Sequence, residues 1–160
     1  MITTRPVSSS DLELICHHRE EMFREAAGHT ADTLATMTMH FRGWLAPRLE
    51  DGSYFGFVAQ DGNAPVAGIG LMTLPWPPHP FHPTDDKRGY VLNVYVAPSH
   101  RRQKIGNLLM NLAEEEFRRR GITFAVLHAT AVGRTLYQAM AWEPTAEMSK
   151  QLQTDQKDMP

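Results

Sequence analysis

The order of features between residues 91 and 142 constrains the fold more than any other part of the chain. An apolar segment at 91–96 leads into a polar and basic run at 101–104, which is followed by an amphipathic stretch at 105–120. A helix that begins at such a turn leaves unpaired backbone N–H groups and a partial positive charge at its first turn. This arrangement can bind a diphosphate. The segment predicts a strand, an anion-binding turn, a helix, a second apolar strand at 124–127 and then Tyr137.

Length and charge set the outer limits. The chain has 160 residues, of which 42% are hydrophobic and 21% charged, and this fits one globular domain with a sizeable core. We expect that domain to span 1–153, with a flexible tail at 154–160. The formal charge of −2 provides no global field that would attract nucleic acid or anionic lipid, so neither is expected as a partner.

No targeting or membrane-spanning segment is predicted. The first six residues lack an apolar stretch typical of a signal peptide, and the longest apolar run, at 65–74, is too short to cross a bilayer. We therefore expect a soluble cytoplasmic protein. The single cysteine, Cys16, excludes an internal disulfide and a thiolate metal site, and its apolar neighbours favour a packed thiol over a nucleophile. The histidines lack metal-ligand spacing with a carboxylate partner, so no metal is predicted.

Hydrophobic periodicity and turn signals predict the remaining elements. A strand is predicted at 2–7, followed by a helix that begins at a capping box of Ser10 and Glu13 and ends at Gly28. A second helix runs from Asp32 to about Leu49, and two strands follow at 54–60 and 64–74 around a hairpin turn. A short helix at 133–140 and a last strand at about 146–152 complete the prediction.

The segment from Pro75 to Gly89 breaks this regularity. It contains five prolines together with aromatic and acidic residues. Proline excludes a helix and a central strand, so the segment is predicted to be a stiffened surface loop. Two interpretations remain open: the loop covers a substrate, or its aromatic residues pack on the edge of the sheet.

Taken together, these residues resemble the GCN5-related N-acetyltransferase superfamily. The superfamily motif R/Q-x-x-G-x-G/A follows a strand and opens a helix, and Arg101 to Gly106 matches it except that Lys104 replaces the first glycine. Leu136-Tyr137 matches an apolar residue and the usual tyrosine, and Ala141-Trp142 stands where Gly-Phe is commonest. The resemblance covers nearly the whole chain. It implies a single acyl-CoA N-acyltransferase domain with an α/β fold, in which helices flank a mixed, mostly antiparallel central sheet with a splayed pair of central strands.

The resemblance also implies acetyl-CoA as co-substrate. Its pantetheine arm is expected along the first central strand, with the thioester near Asn93 and Val94, and its diphosphate at the helix start. The implied cofactor-binding residues are Asn93, Val94, Tyr95, Val96, Arg101, Arg102, Gln103, Lys104, Ile105, Gly106, Asn107 and Thr130, the last of which stands where many relatives have asparagine. For Lys104 three alternatives remain: its stem points outward, its ammonium approaches a phosphate, or it obstructs the turn. Asn93 in an apolar strand needs hydrogen-bond partners, which core packing alone does not explain.

The chemistry implied is direct attack of a primary amine on the acetyl thioester in a ternary complex. An amine with a pKa of about 10.4 must first lose a proton, which costs about 4.6 kcal/mol at pH 7. Tyr137 is expected to donate a proton to the departing sulfur, and His128 is the first candidate for the base. Their structural alternatives are a tyrosine that packs the last helix and a histidine bonded to a loop. Other candidate bases are Glu20, Glu21, Glu25, Asp85 and Asp86.

The acceptor is expected to be a small-molecule or peptide amine. Acidic clusters in the first helices and in the proline loop favour a cationic one, with Glu21, Trp76 and Asp85 as candidate substrate-binding residues. A non-catalytic acyl-CoA-binding sensor with the same fold is the alternative. Because relatives are often dimers, the resemblance also implies a homodimer. A nucleoside triphosphatase is excluded because the chain lacks G-x-x-x-x-G-K-[ST].

Overall fold

The computed structural model describes residues 1–153, so the tail predicted at 154–160 lies outside the described residues. The strands are β1 (Ile2–Pro6), β2 (Phe55–Asp61), β3 (Ala64–Pro75), β4 (Lys87–Val96) and β5 (Ala125–Leu127). The helices are α1 (Leu12–Glu25), α2 (Ala31–Asp51), α3 (Ile105–Arg119) and α4 (Ala131–Ala139). None of these helices combines the length and the hydropathy that crossing a bilayer requires.

The five strands form one sheet in the order β1-β2-β3-β4-β5. Neighbouring strands are antiparallel except for β4 and β5, which are parallel. The chain reaches the parallel strand through α3, since a parallel pair requires a long crossover connection. The predicted α/β class, with its mixed and mostly antiparallel sheet, is confirmed.

β4 and β5 separate after a short paired stretch. Their pairing covers three positions and ends at Val91 opposite Leu127, although β4 continues to Val96. Against β3 the register of β4 shifts where Gly70 faces Leu92 and Gly68 faces Tyr95, so one β3 residue faces two β4 residues. This is a β-bulge, which bends a strand and ends its regular pairing. The predicted splayed pair of central strands is therefore present.

Each face of the sheet has its own apolar core. The core on the α3 and α4 side contains Ile69, Leu71, Val91, Ile105, Leu109, Met110, Phe117 and Tyr137, and the core on the α1 and α2 side contains Ile15, Cys16, Phe41, Leu45, Leu49 and Tyr54. Cys16 is buried there, as predicted for a packed thiol, and burial raises its pKa. A thiol held protonated in this way is a poor nucleophile.

The start of α1 differs from the prediction. The capping box is formed by Ser8 and Asp11, because the Ser8 N–H donates to Asp11 Oδ2 at 2.8 Å, whereas Ser10 and Glu13 do not form one. A 3₁₀ turn at Ser9–Asp11 precedes α1, so the capping serine is Ser8 and not Ser10. Glu13 instead binds Arg42 of α2, at 2.7 Å from Nε. The pairs Ser8–Asp11 and Ser10–Glu13 have the same three-residue spacing, so the sequence pattern alone does not distinguish between them.

The last strand predicted at about 146–152 is wrong. Residues 143–153 contain no strand, and all their side chains are exposed. A strand there would need alternate residues that bury one face, but Lys150 lies between Met148 and Leu152, which are 94% and 78% exposed. The segment has too little apolar surface to pack as a strand against the sheet.

The proline loop, residues 76–86, packs on the sheet edge. Trp76 lies over the Arg88 guanidinium, with 4.2 Å from the ring centroid to Cζ, and His82 is buried against Phe124 beside β5. These contacts favour the packing interpretation over a substrate cover.

Candidate active site

A cleft of about 800 Å³ opens between the free end of β4, the start of α3 and α4. Its lining comprises Met22, Glu25, Ala26, Val94, Tyr95, Val96, His100, Arg101, Arg102, Lys104, Ile105, Gly106, Asn107, Thr130, Ala131, Val132, Gly133, Leu136 and Tyr137. Every cofactor-binding residue expected from the sequence is among them except Asn93 and Gln103. Beyond Val91, β4 has no strand paired on this side, so its backbone groups face the cleft unpaired by β5.

The turn before α3 has an unusual backbone. Arg102 and Lys104 both adopt left-handed conformations, with φ of 64° and 60°. Such turns direct successive N–H groups into an anion-binding concavity. Lys104 is the N-cap of α3, and its side chain is exposed. The left-handed conformation disfavours a residue with a Cβ by about 1 kcal/mol, which explains why the superfamily motif has glycine here. Because Lys104 is exposed and also lines the cleft, the three alternatives for its side chain stay predictions.

The start of α4 faces the same cleft. The Thr130 hydroxyl oxygen caps this helix by accepting from the Gly133 N–H at 3.2 Å. The cleft is thus lined by two helix N-termini, each with about half a positive charge. Both favour a polyanionic ligand.

An ion pair joins α1 to the turn at the mouth of the cleft. Arg101 Nη2 lies 2.6 Å from Glu25 Oε2, and Arg101 Nε donates to the Val96 carbonyl at 2.9 Å. Because Glu25 is held by Arg101, it is a poorer candidate for the base than the sequence suggested.

Tyr137 lies at the inner end of the cleft and is 9% exposed. Its ring occupies space that Gly133 leaves open, since a Cβ at position 133 would lie 2.9 Å from Tyr137 Cε2. Burial raises the pKa of Tyr137, so the hydroxyl stays protonated at neutral pH. Tyr137 also lines a second cavity of about 260 Å³ at the end of β5, which His128 and Glu147 share.

His128 is the centre of a three-residue network. Its Nδ1 forms a hydrogen bond with the Tyr90 hydroxyl, and its Nε2 lies 2.5 Å from Glu147 Oε1. Burial raises the pKa of Tyr90 and the charge of Glu147 raises it further, whereas the charge of Arg19 opposes them. The sequence predicted His128 but neither Tyr90 nor Glu147, because partners 38 and 19 residues away leave no periodic signal.

Asn93 lies in the bulge of β4 with φ of 56° and is 4% exposed. Its Nδ2 donates to the Tyr54 hydroxyl at 3.0 Å, and its Oδ1 accepts from Arg19 Nη1 at 2.7 Å. Leu92 and Asn93 therefore both face α1 and α2, which successive residues of a regular strand cannot do. The partners that Asn93 requires are supplied by this network, and its contact with the thioester stays a prediction.

The three candidate substrate-binding residues already have partners on the surface. Glu21 Oε1 lies 2.5 Å from Arg24 Nη1, Asp85 Oδ2 accepts from the Thr123 hydroxyl at 2.8 Å, and Trp76 stacks on Arg88. Their role toward an acceptor stays a prediction.

A larger groove of about 1210 Å³ lies elsewhere, along the edge of β5 and the end of α3. Phe117, Phe124 and Trp142 give it an apolar wall. It meets the C-terminal end of α3, whose partial charge is negative. That end disfavours a diphosphate, so the smaller cleft is the better candidate for the active site.

Comparison with known proteins agrees with this geometry. The family model described as the acetyltransferase (GNAT) family matches residues 12–141. The chain belongs to this family. GNAT acetyltransferases use acetyl-CoA, so the cofactor expected from the sequence is confirmed for the family. The match begins at the start of α1 and ends just after α4, and thus includes the whole cleft.

Among solved structures, a GCN5-related N-acetyltransferase from Ralstonia eutropha is 62% identical, with a TM-score of 0.93 over 95% of this chain and 99% of that one. A predicted acetyltransferase with acetyl-CoA from Clostridium acetobutylicum is 20% identical, with a TM-score of 0.84 over 95% and 96%. An aminoglycoside 6'-N-acetyltransferase from Acinetobacter haemolyticus is 14% identical, with a TM-score of 0.65 over 96% and 99%. The last two show the shared fold alone. No curated protein matched the chain.

Proposed function

We propose that this GNAT member is an acetyl-CoA-dependent N-acetyltransferase that moves the acetyl group to a primary amine by direct attack in a ternary complex. The observation that carries the proposal is the cleft itself. It brings the left-handed turn before α3, the unpaired end of β4 and the side chain of Tyr137 into one lining. The acceptor amine belongs to a small molecule or a peptide. The homodimer stays a prediction.

The turn and the strand fit the cofactor. The N–H groups from Arg102 to Asn107 would bind the diphosphate, aided by the positive end of α3. The backbone of Val94 to Val96 would bind the pantetheine amides as a neighbouring strand would. Bound acetyl-CoA supplies an activated acetyl thioester, and the residues of this chain bind it and transfer the protons.

The network around His128 would remove the proton from the attacking amine. Nδ1 of His128 would accept the proton of the Tyr90 hydroxyl, while the Tyr90 oxygen would accept the proton that the attacking amine loses. Nε2–H donates to Glu147, which orients the ring and stabilises the charged imidazolium. His128 thus acts through Tyr90, because both of its nitrogens already have partners.

Tyr137 would protonate the leaving sulfur. Its raised pKa keeps the hydroxyl protonated at neutral pH, so that it can donate this proton to the sulfur. A thiol with a pKa near 8.5 is already a fair leaving group, so a modest contribution suffices.

Two measurements on the purified protein test this function. Calorimetric titration with acetyl-CoA should show binding, and a panel of primary amines should then release CoA thiol with a matching N-acetylated product by mass spectrometry. Binding with no release across the panel would contradict the proposal and indicate the non-catalytic sensor instead. Failure to bind would contradict both.

A further inference from the structure

We propose that Arg19 recognises a carboxylate of the acceptor, so that the acceptor is an amino acid or peptide whose carboxylate lies close to its amine. This inference rests on the proposed function. It changes the expectation drawn from the acidic clusters, which favoured a cationic amine.

Arg19 of α1 is held by three contacts on the face of the sheet that α1 and α2 cover. Its Cζ lies 5.0 Å from the ring centroid of Phe23 and 4.7 Å from that of Phe41. Nη1 donates to Asn93 Oδ1 at 2.7 Å. The two rings and the amide fix the plane of the guanidinium. Since Nη1 binds Asn93 and Nε is buried, Nη2 is the nitrogen that a carboxylate would reach, through a charge-assisted hydrogen bond.

Arg19 has no carboxylate partner within residues 1–153, which distinguishes it from its neighbours. Arg24, five residues later on α1, binds Glu20 at 3.0 Å and Glu21 at 2.5 Å. Arg42 of α2 binds Glu13. For Arg19 the single recorded acceptor is the neutral amide of Asn93, and its buried Nε has no hydrogen-bond partner in the described part of the chain.

A partly buried cation without a counter-ion is unfavourable. Burial accordingly lowers the pKa of Arg19, against the opposing effects of Tyr54 and Tyr90. An anionic ligand would supply the missing charge, whereas an acceptor with additional positive charge would be repelled. The uncompensated charge therefore favours a carboxylate over a polyamine.

The position of Arg19 suits the acceptor. It contacts Asn93 of the bulge, where the thioester is expected, and it is close enough to Tyr90 for its charge to act on that hydroxyl. A carboxylate at Arg19 would hold a neighbouring amine between the bulge and the proton-accepting network. The same arrangement would not hold an amine that lacks an anionic group nearby.

The first test compares matched ligands with the unmodified protein. The protein is saturated with CoA, and N-acetylglycine, N-acetylglycinamide, N-acetylleucine and N-acetylleucinamide are titrated in by calorimetry. At least one acid should bind on the order of 10- to 100-fold more tightly than its amide, the range expected for a hydrogen bond to a charged group. Equal binding within both pairs, or no binding of either acid, would overturn the proposal.

The second test uses Arg19→Gln, with Arg24→Gln as a control that makes the same charge change on the same helix. Arg19→Gln should abolish the difference between acid and amide, and should raise KM for the amino acid far more than it lowers kcat. Arg24→Gln should leave both unchanged. If Arg19 only positions Asn93, its loss would lower turnover of acid and amide equally, and the preference for the acid would persist.

These outcomes separate the inference from the proposed function. Tight, Arg19-dependent binding of the acids without any turnover would contradict the transferase and retain the carboxylate site. Efficient acetylation of amines that lack a carboxylate, at rates equal to those of the amino acids, would retain the transferase and overturn the carboxylate site.

Discussion

The ring of Tyr54 crosses β3 at Gly70, where a side chain would leave it no room. A Cβ at position 70 would overlap the Tyr54 hydroxyl oxygen. That hydroxyl accepts a hydrogen bond from Asn93, so the missing side chain of Gly70 allows Tyr54 to reach across the sheet and hold the bulge of β4. The bulge in turn separates the two central strands.

We predict that Gly70→Ala lowers the free energy of unfolding by about 2–3 kcal/mol, because the buried Tyr54 ring cannot move away from the added methyl group. Urea denaturation measures the change. Gly43→Ala is the matched control, since position 43 lies in α2 with open space around it and the same substitution should stabilise by about 0.5–1 kcal/mol. Equal effects of the two substitutions would contradict this account.

A second prediction concerns the left-handed conformation of Lys104. Lys104→Gly should raise the free energy of unfolding by up to about 1 kcal/mol, because glycine adopts this backbone without a Cβ clash. Lys104→Ala keeps the Cβ and removes the charge, so it should leave stability near that of the parent. If the ammonium approaches a phosphate, both variants should weaken acetyl-CoA binding by calorimetry. If the stem points outward, neither should.

A third prediction concerns pH and stability. His18 is 5% exposed and packs against Tyr95, with 4.9 Å between the ring centroids. Burial lowers its pKa to about 4 from an ordinary value near 6.5. The charge of His17 lowers it further and that of Asp11 opposes this. Between pH 6.5 and 4 the unfolded chain binds a proton at His18 that the folded chain does not, so stability should fall as the pH falls through this window.

The size of the His18 effect is on the order of 3 kcal/mol between pH 7 and 4. Urea denaturation at several pH values should show that His18→Leu removes this part of the slope. His17→Leu, at an exposed neighbouring position, should retain most of it, because burial is the larger cause of the shift and the charge of His17 the smaller. An unchanged slope in His18→Leu would show that His18 is not the group responsible.

The sequence predicts the cleft well because its parts are local. The strand at 91–96, the turn at Lys104 and Tyr137 are set by periodicity and by a motif within one stretch of chain, and all three line the same cleft. The contact between Arg19 and the bulge of β4 was not predicted. Arg19 and Asn93 are 74 residues apart, and contacts of that range have no signature in a single sequence.

Two further errors have local causes. The capping box was assigned two residues late because Ser8 and Asp11 repeat the spacing of Ser10 and Glu13. The last strand was predicted at about 146–152, but its apolar residues Met148 and Leu152 have no partner surface that would bury them. In both cases the pattern was present and the tertiary context decided the outcome.

A fourth prediction addresses Tyr137. Tyr137→Phe should lower kcat about 10- to 100-fold while the Kd for acetyl-CoA stays unchanged, because the ring still fills the space beside Gly133 and only the proton donor is lost. Rapid-quench kinetics should confirm that the chemical step has slowed. Since the pKa of Tyr137 is raised by burial, the parent should show no loss of kcat from ionisation of this hydroxyl at mildly alkaline pH. Full activity of Tyr137→Phe at a rate-limiting chemical step would contradict the assignment.

The most direct test of direct transfer in a ternary complex is a single-turnover experiment with acetyl-CoA labelled in its acetyl group and the protein in excess. The buried thiol of Cys16, with its raised pKa, is not available to carry the acetyl group. We predict that the label stays on CoA until an acceptor amine is added and then appears on the amine, with none covalently attached to the denatured protein at any time. Label covalently attached to the protein before the amine is added, or no transfer to any amine, would contradict direct transfer.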